Sequence, residues 1–321
     1  MFTLLCLLFS PVLARDYNNT DTYIAYYPGD PGSKIIICAP HGGSLIPAII
    51  PDRHSGCYNT TTDECLYTDN TCAEDAVNCK VVTSKDLYTR EMAQVLDGEL
   101  ETLTGYKPHL IVNNLKRPKL DPNREIGEGA QGNADMVAAW EEYHGHVQTA
   151  YDVVNGTGIL FDIHGQGHSD KWVEIGYTIS KSKLNAGTIL ANESSIYALS
   201  QRVDIPFASL LYGNKSLGAL IQSQGVKCVP SPEHPRPNSS SPGGYYSGGY
   251  TTKRWGSQDG GIIDAIQLEN HKDLRSKCKE ECGELSKAIA EFANRHYYKV
   301  SGGVRVVVSV VLGVVLVLLL G

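Results

Sequence analysis

Nowhere in this 321-residue chain does a block of basic residues occur, and its 28 lysines and arginines are outnumbered by 35 aspartates and glutamates. With a formal net charge of −7, the chain gives no electrostatic reason to expect a nucleic-acid partner. No internal repeat is visible, and the nine cysteines lack zinc-finger spacing. What is present is an ordinary globular composition, 42% hydrophobic and 20% charged. That length and composition suit a substantial core in one large domain over residues 15–300.

Both ends carry the patterns of processing segments. Residues 1–14, MFTLLCLLFSPVLA, read as a secretory signal cut near Ala14–Arg15, although they lack a charged start. Residues 301–321 are apolar from Val306 onward and follow Ser301, Gly302 and Gly303, which suggests a GPI-anchor signal with little polar spacer. A short membrane helix is the alternative. Either reading places the body of the protein outside the cell, attached to the membrane through a C-terminal anchor. Removing Cys6 with the signal leaves eight cysteines. Cys57, Cys65, Cys72 and Cys79 lie in an insertion over 57–79, Cys278 and Cys282 lie near the end, and Cys38 and Cys228 elsewhere. In an oxidising compartment they read as disulfides, with a buried free thiol as the alternative for Cys38. Sequons at Asn18, Asn59, Asn155, Asn192, Asn214 and Asn238 add glycosylation to that expectation.

Between these ends, apolar runs alternate with helical spacing. KIIICAP, KVVTS, HLIVNNL, GILFDIHG, WVEIGYTIS, VKCVP and IIDAIQLE are expected strands. DLYTREMAQVLDGELETL predicts a helix ending at Gly105, ADMVAAWEEYHGHVQTAYDVV a long helix, and residues 284–298 the last one. Short helices are expected in 194–204 and 216–223, a polar lead-in over 15–32, and one long loop over 230–261. The alternation predicts a three-layer α/β fold with a mixed, mainly parallel central sheet flanked by helices. The loop at 230–261 is long for a connector, and its glycines and aromatics suit a segment folded over a pocket.

In such folds sites form beyond the carboxyl ends of strands. His41 follows KIIICAP, Asp86 follows KVVTS, and Asp121, Asn123 and Arg124 follow HLIVNNL. His164 ends GILFDIHG, and Glu269 ends IIDAIQLE. Two histidines and a carboxylate from separate strand ends suit a catalytic zinc, which takes three protein ligands and keeps one position open. His41, Asp86 and His164 are the expected ligands, with His168 an alternative ligand or rim residue. Asp86 could instead cap the helix that follows it. Asp162 is placed to orient an imidazole, if strand alternation allows. Gly42, Gly43 and Gly165 permit a tight backbone around the ligands. Glu269 is the candidate general acid or base. Arg124 is the candidate anchor for a substrate carboxylate, or else a structural ion pair.

Five segments in order, APHGGSLIP, KDLYTREMAQVL, LDPNR, FDIHG, and SGGYTTKRWG with AIQLEN, together resemble the N-formylglutamate amidohydrolase (deformylase) family over about residues 34–275. The resemblance implies the phosphorylase/hydrolase-like fold of zinc-dependent carboxypeptidases. It also implies zinc at His41, Asp86 and His164, with Arg124 near a substrate carboxylate and Glu269 in proton transfer. Asn123 and the Gly-Tyr loop around Tyr250 are expected at the substrate. The chain departs from the pattern in its 57–79 insertion, in its terminal segments, and in having Gly165 where the family's motif would place a serine. The expectation is an extracellular zinc-dependent amidohydrolase cleaving an amide next to a carboxylate, in an N-acyl amino acid or a peptide end. A carboxypeptidase-like enzyme and a non-catalytic binding protein on the same fold are the alternatives.

Overall fold

The computed structural model describes residues 15–68, 77–237 and 244–298, together with the backbone of 305–311 and 314–320. Its frame is a seven-stranded sheet in the order β1-β6-β2-β7-β10-β8-β9. β1 is Ile24–Tyr27, β2 Ile35–Ala39, β6 His109–Asn113, β7 Gly158–Gln166, β8 Val173–Gly176, β9 Cys228–Val229 and β10 Ile263–His271. β6, β2, β7 and β10 run parallel side by side, whereas β1 and β8 pair antiparallel with β6 and β10. β9 runs parallel to β8. This is the mixed, mainly parallel three-layer arrangement expected from the alternation. β2 and β7 read as continuous apolar runs because both of their faces are covered.

One face is covered by α1 (Thr89–Thr104), α7 (Leu217–Ser223) and α11 (Gly283–His296), which bury Met92, Leu96, Leu100, Ile221, Ile289 and Phe292 against Ile35, Ile37, Phe161 and Ile163. The other face lies under α3 (Ala134–Val154), whose Met136, Trp140, Tyr143, Val147 and Val154 meet Ile36, Cys38, Leu160 and Ala265. α3 starts where the Asn133 side chain accepts the Met136 N–H and stops at Asn155, which adopts φ 37°. The smaller helices are α2 (Ile126–Ala130), α4 (Lys181–Ala186), α5 (Tyr197–Arg202), α6 (Phe207–Leu211), α8 (Tyr250–Trp255), α9 (Lys272–Ser276) and α10 (Cys278–Glu281).

Three expectations need correction. The polar lead-in contains β1, an edge strand held by β6. The long loop contains α8, which packs on β7 and β10. KVVTS is not a strand: pairing stops at β5 (Asn78–Cys79), which belongs with β3 (Gly56–Asn59) and β4 (Glu64–Leu66) to a small sheet in the insertion. Beyond β5, arginine side chains replace a neighbouring strand. Arg53 donates to the Val82 carbonyl (2.7 Å), Arg117 to that of Ser84 (3.3 Å), and Arg275 to that of Leu87. The carbonyls are satisfied without a ladder, so the segment is free to swing Asp86 toward the sheet.

Cys65–Cys79 and Cys278–Cys282 are disulfides, which fits an oxidising compartment. Cys57 is also disulfide-bonded. Cys38 and Cys228 are buried free thiols, so the disulfide expectation fails for Cys228. Four sequon asparagines, Asn18, Asn155, Asn192 and Asn214, are exposed, and Asn59 is half-buried. The expected signal (1–14), Cys72, Asn238 and residues 301–304 lie outside the described residues. The C-terminal backbone pairs as an antiparallel hairpin of β11 (Arg305–Val311) and β12 (Val314–Leu320), where a helix was the alternative expectation. Among the described residues no helix is long and apolar enough to cross a membrane.

Two buried histidines are expected to make this fold acid-sensitive. His144 donates Nε2–H to the Pro122 carbonyl (3.0 Å) and accepts at Nδ1 from the Trp255 indole (3.0 Å), so both ring nitrogens are committed to the neutral form. Burial pushes its pKa down to about 3. His109 accepts at Nδ1 from the Gly29 N–H (3.1 Å), and burial lowers it to about 4. Their unfolded value is 6.5, so their stabilising contribution is complete above pH 6.5 and falls as pH drops toward 4. Each is expected to cost up to about 1.4 kcal/mol per pH unit in that window. Urea unfolding at pH 7.0, 5.5 and 4.5 measures the slope. A His144→Gln protein should show a shallower one, and an identical slope would remove His144 from the account.

Candidate metal centre

The apolar rows of the α3-facing side turn polar as the strands reach their carboxyl ends. Along β7 the row runs Leu160, Asp162, His164, and along β10 it runs Ile263, Ala265, Gln267, Glu269. In the parallel register His164 sits beside Glu269 and Asp162 beside Gln267. All four are buried. His41 joins from the turn after β2, where Gly42 and Gly43 are required by contact. A Cβ on Gly42 would lie 2.3 Å from the Arg90 backbone nitrogen, and one on Gly43 2.3 Å from the Asn114 carbonyl carbon.

His41, Asp86 and His164 offer ligand atoms that all lie within 4.8 Å of one another, so the group could hold a metal ion. His41 donates Nε2–H to Asp121 Oδ1 (2.7 Å), and His164 directs Nε2 at Asp162 Oδ2 (3.1 Å). Asn123 Nδ2 lies 3.3 Å from the same His164 nitrogen. The Nδ1 atoms of both rings face one oxygen, Asp86 Oδ2, at 3.3 Å from His41 and 3.2 Å from His164. A neutral imidazole has one N–H, and in the tautomers with Nε2–H toward Asp121 and Asp162 both Nδ1 lone pairs are free to take a cation beside the carboxylate. Bonds of about 2.0–2.1 Å in a tetrahedral site give an edge of about 3.3 Å, which matches both separations. The outward carboxylates are the partners that fix a metal-bound histidine's tautomer. In the metal-free chain the same demand appears as proton affinity. Burial opposes the charged His164, yet Asp162 and Asp86 hold its pKa well above the usual value. Burial likewise opposes the charged Asp86, and His41 and His164 hold it well below the carboxylate range.

Asp86 does not cap α1. The residue before the helix is Tyr88, with φ 69° and no side-chain cap. Asp86 is instead held by the Gly165 N–H on Oδ2 (3.1 Å), and its backbone N–H reaches the His41 carbonyl (3.2 Å). Asp121 was placed near the site by its position alone. Its part is larger: besides His41 it binds Arg117 Nε (2.8 Å), and Arg53 lies 3.5 Å away.

These ligands line a cavity of about 550 Å³ together with Glu269, Gln267, Asn123, Arg124, Lys272, Arg275 and residues 245–249. Glu269 accepts from Gln267 Nε2 at Oε1 (2.9 Å), while Oε2 has no hydrogen-bond partner among the described residues. Its pKa is pushed up to about 8, mainly by burial, with His164 opposing and Asp86 and Glu174 adding. Gln267 in turn accepts from the Gly249 N–H (2.6 Å), which ties the loop to the strand.

Other expected residues are placed differently. Tyr250 is not among the cavity-lining residues. It begins α8 and packs on Trp140 and His144, whereas Tyr245 and Tyr246 reach the cavity. His168 stands apart from the ligand group, paired with Glu174 (2.6 Å) and stacked on Tyr246. Asn123 accepts the Thr251 N–H (2.7 Å) at Oδ1 and has its Nδ2 3.3 Å from His164 Nε2. Arg124 lines the cavity but is bound to Glu128 (3.1 Å) and to the Asn123 carbonyl (2.8 Å). Sequence reasoning missed Arg117 and Arg275, and it gave Gln267 no role. Gln267 shares the strand face of Glu269 at a spacing of two, a signal that was readable. Nothing local marks the two arginines.

No protein-family model matches the chain, and no curated protein matches it. Among solved structures, the crystal structure of a gene product from Agrobacterium tumefaciens is similar with a TM-score of 0.41 and 14% identity. The match covers 86% of this chain and 94% of that one, and likeness at this level assigns neither family nor function.

Proposed function

We propose that the protein is a zinc-dependent amidohydrolase acting outside the cell on an amide next to a carboxylate, of the N-acyl amino acid or peptide-end type. The observation that carries the reading is the pair of histidine Nδ1 atoms converging on one oxygen of Asp86, beside a buried Glu269 whose Oε2 has no hydrogen-bond partner among the described residues. His41, Asp86 and His164 would hold the ion, with Asp121 and Asp162 orienting the imidazoles. Zinc in such a site supplies Lewis acidity and brings the pKa of a bound water to about 7.

The remaining roles belong to the chain. Glu269, which lines the cavity, takes the proton of the attacking water, then delivers it to the leaving nitrogen as the C–N bond breaks. Gln267 holds the other oxygen, so a single carboxylate orientation is presented. The cations that line the cavity attract the substrate carboxylate. The resemblance to N-formylglutamate amidohydrolases supports the same reaction class.

The test is hydrolysis of a panel of N-acyl amino acids by the zinc-loaded protein. Activity that disappears on chelation and returns with zinc is expected. A well-folded protein that takes up no zinc would overturn the reading.

A further inference from the structure

The cavity holds a buried cation to which the proposed chemistry assigns no individual role. Arg275, on α9, is 6% exposed. Its Nε donates to the Asn270 carbonyl (2.9 Å), Nη2 to the Gln166 carbonyl (3.2 Å), and Nη1 to the Leu87 carbonyl. Those bonds use three of its five N–H groups and leave one on each terminal nitrogen. No carboxylate among the described residues forms a direct ion pair with it, and Asp86 and Glu269 act on its charge only at longer range, although it lines the cavity. A guanidinium taken out of water without a directly bonded counter-anion is costly. The other arginines of the cavity are neutralised: Arg117 lies on Asp121, and Arg124 on Glu128.

The guanidinium also sits directly over the residue that follows His164. A Cβ on Gly165 would lie 2.3 Å from Arg275 Cζ, so Arg275 occupies the space that a side chain at this position would fill. Gly165 itself donates to Asp86. A cation without a direct ion pair is thus next to the ligand group, and Lys272, exposed at the same cavity, adds a second positive charge.

We infer that Arg275, and not Arg124, is the carboxylate anchor of this site, and that its substrates carry a carboxylate within reach of the metal group. Arg275 is then a specificity-determining residue, and the serine-to-glycine departure at Gly165 is the room made for it. The inference rests on the proposed amidohydrolase site, but binding tests it without turnover.

The experiment titrates the zinc-loaded full chain with N-acetylglycine and with N-acetylglycinamide, which differ in the carboxylate alone. Wild type is expected to bind the carboxylate roughly ten- to a hundredfold more tightly. The ratio should fall to near one in Arg275→Gln, to an intermediate value in Arg275→Lys, which keeps the charge but not the fork, and should persist in Arg124→Gln. If Arg275→Gln does not fold, Arg275→Lys decides. A ratio unchanged in the Arg275 variants, a ratio lost in Arg124→Gln, or no discrimination by wild type would each overturn the inference. Discrimination through Arg275 without hydrolysis of any N-acyl amino acid would retain the anchor and discard only the hydrolase.

Discussion

A His164→Ala protein is expected to lose its metal while keeping its fold. Three protein ligands share the binding free energy, and structural zinc sites of four ligands are worth about 10–16 kcal/mol in all. Removing one ligand therefore costs about 3 kcal/mol, a loss of roughly a hundredfold or more in affinity. The substitution also leaves Asp162 with a buried carboxylate that has lost its imidazole, so some destabilisation of the strand end accompanies it. Asp162→Asn is expected to be milder, about 10–100-fold in affinity, because it disturbs the orienting bond and not the ligand. Zinc content after dialysis against a graded chelator series measures both. Equal zinc retention by wild type and His164→Ala would remove the site from this position.

Glu269→Gln is expected to separate metal binding from catalysis. Its amide matches the carboxylate in shape, and the ligand group is untouched, so zinc content should equal that of wild type. Turnover should fall by about 10²–10⁴, the usual contribution of positioned proton transfer. Its effect on stability has the opposite sign. Burial pushes the folded-state pKa of Glu269 to about 8 from an unfolded value of 4.5. The folded chain thus holds a proton that the unfolded chain releases, and stability is lost as pH rises from 4.5 through about 8. Glutamine does not titrate. The metal-free variant should gain on metal-free wild type across that window and level off above it. Thermal melting of both proteins at pH 5 and pH 8.5 provides the comparison. A variant with normal turnover would exclude Glu269 from proton transfer.

The site was readable in the chain to the extent that strand ends were readable. His41, His164 and Glu269 each close an apolar run, and the rule that open α/β sheets carry sites at their carboxyl ends brought them together before any coordinates. Asp86 was named for a wrong reason. It follows no strand, and what delivers it is a loop whose carbonyls are held by Arg53, Arg117 and Arg275, residues far apart in sequence. Tyr250 failed for a related reason. The glycines before it do line the cavity, but α8 begins at the tyrosine and turns its ring toward Trp140.

Local pattern by itself determined the α/β class, which strand ends carry ionisable groups, and most helices and strands of the core, though not β1 or α8. Those features depend on hydrophobic periodicity and on capping, which act over a few residues. The tertiary structure alone decided the rest: that both Nδ1 atoms meet one carboxylate oxygen, that Glu269 has one oxygen without a hydrogen-bond partner among the described residues, and that Arg117 and Arg124 sit on carboxylates while Arg275 forms no direct ion pair. These depend on distances between residues up to 188 positions apart, as between Leu87 and Arg275, and on the low dielectric in which they meet. Charge compensation is a property of the assembled site, and no local pattern encodes it.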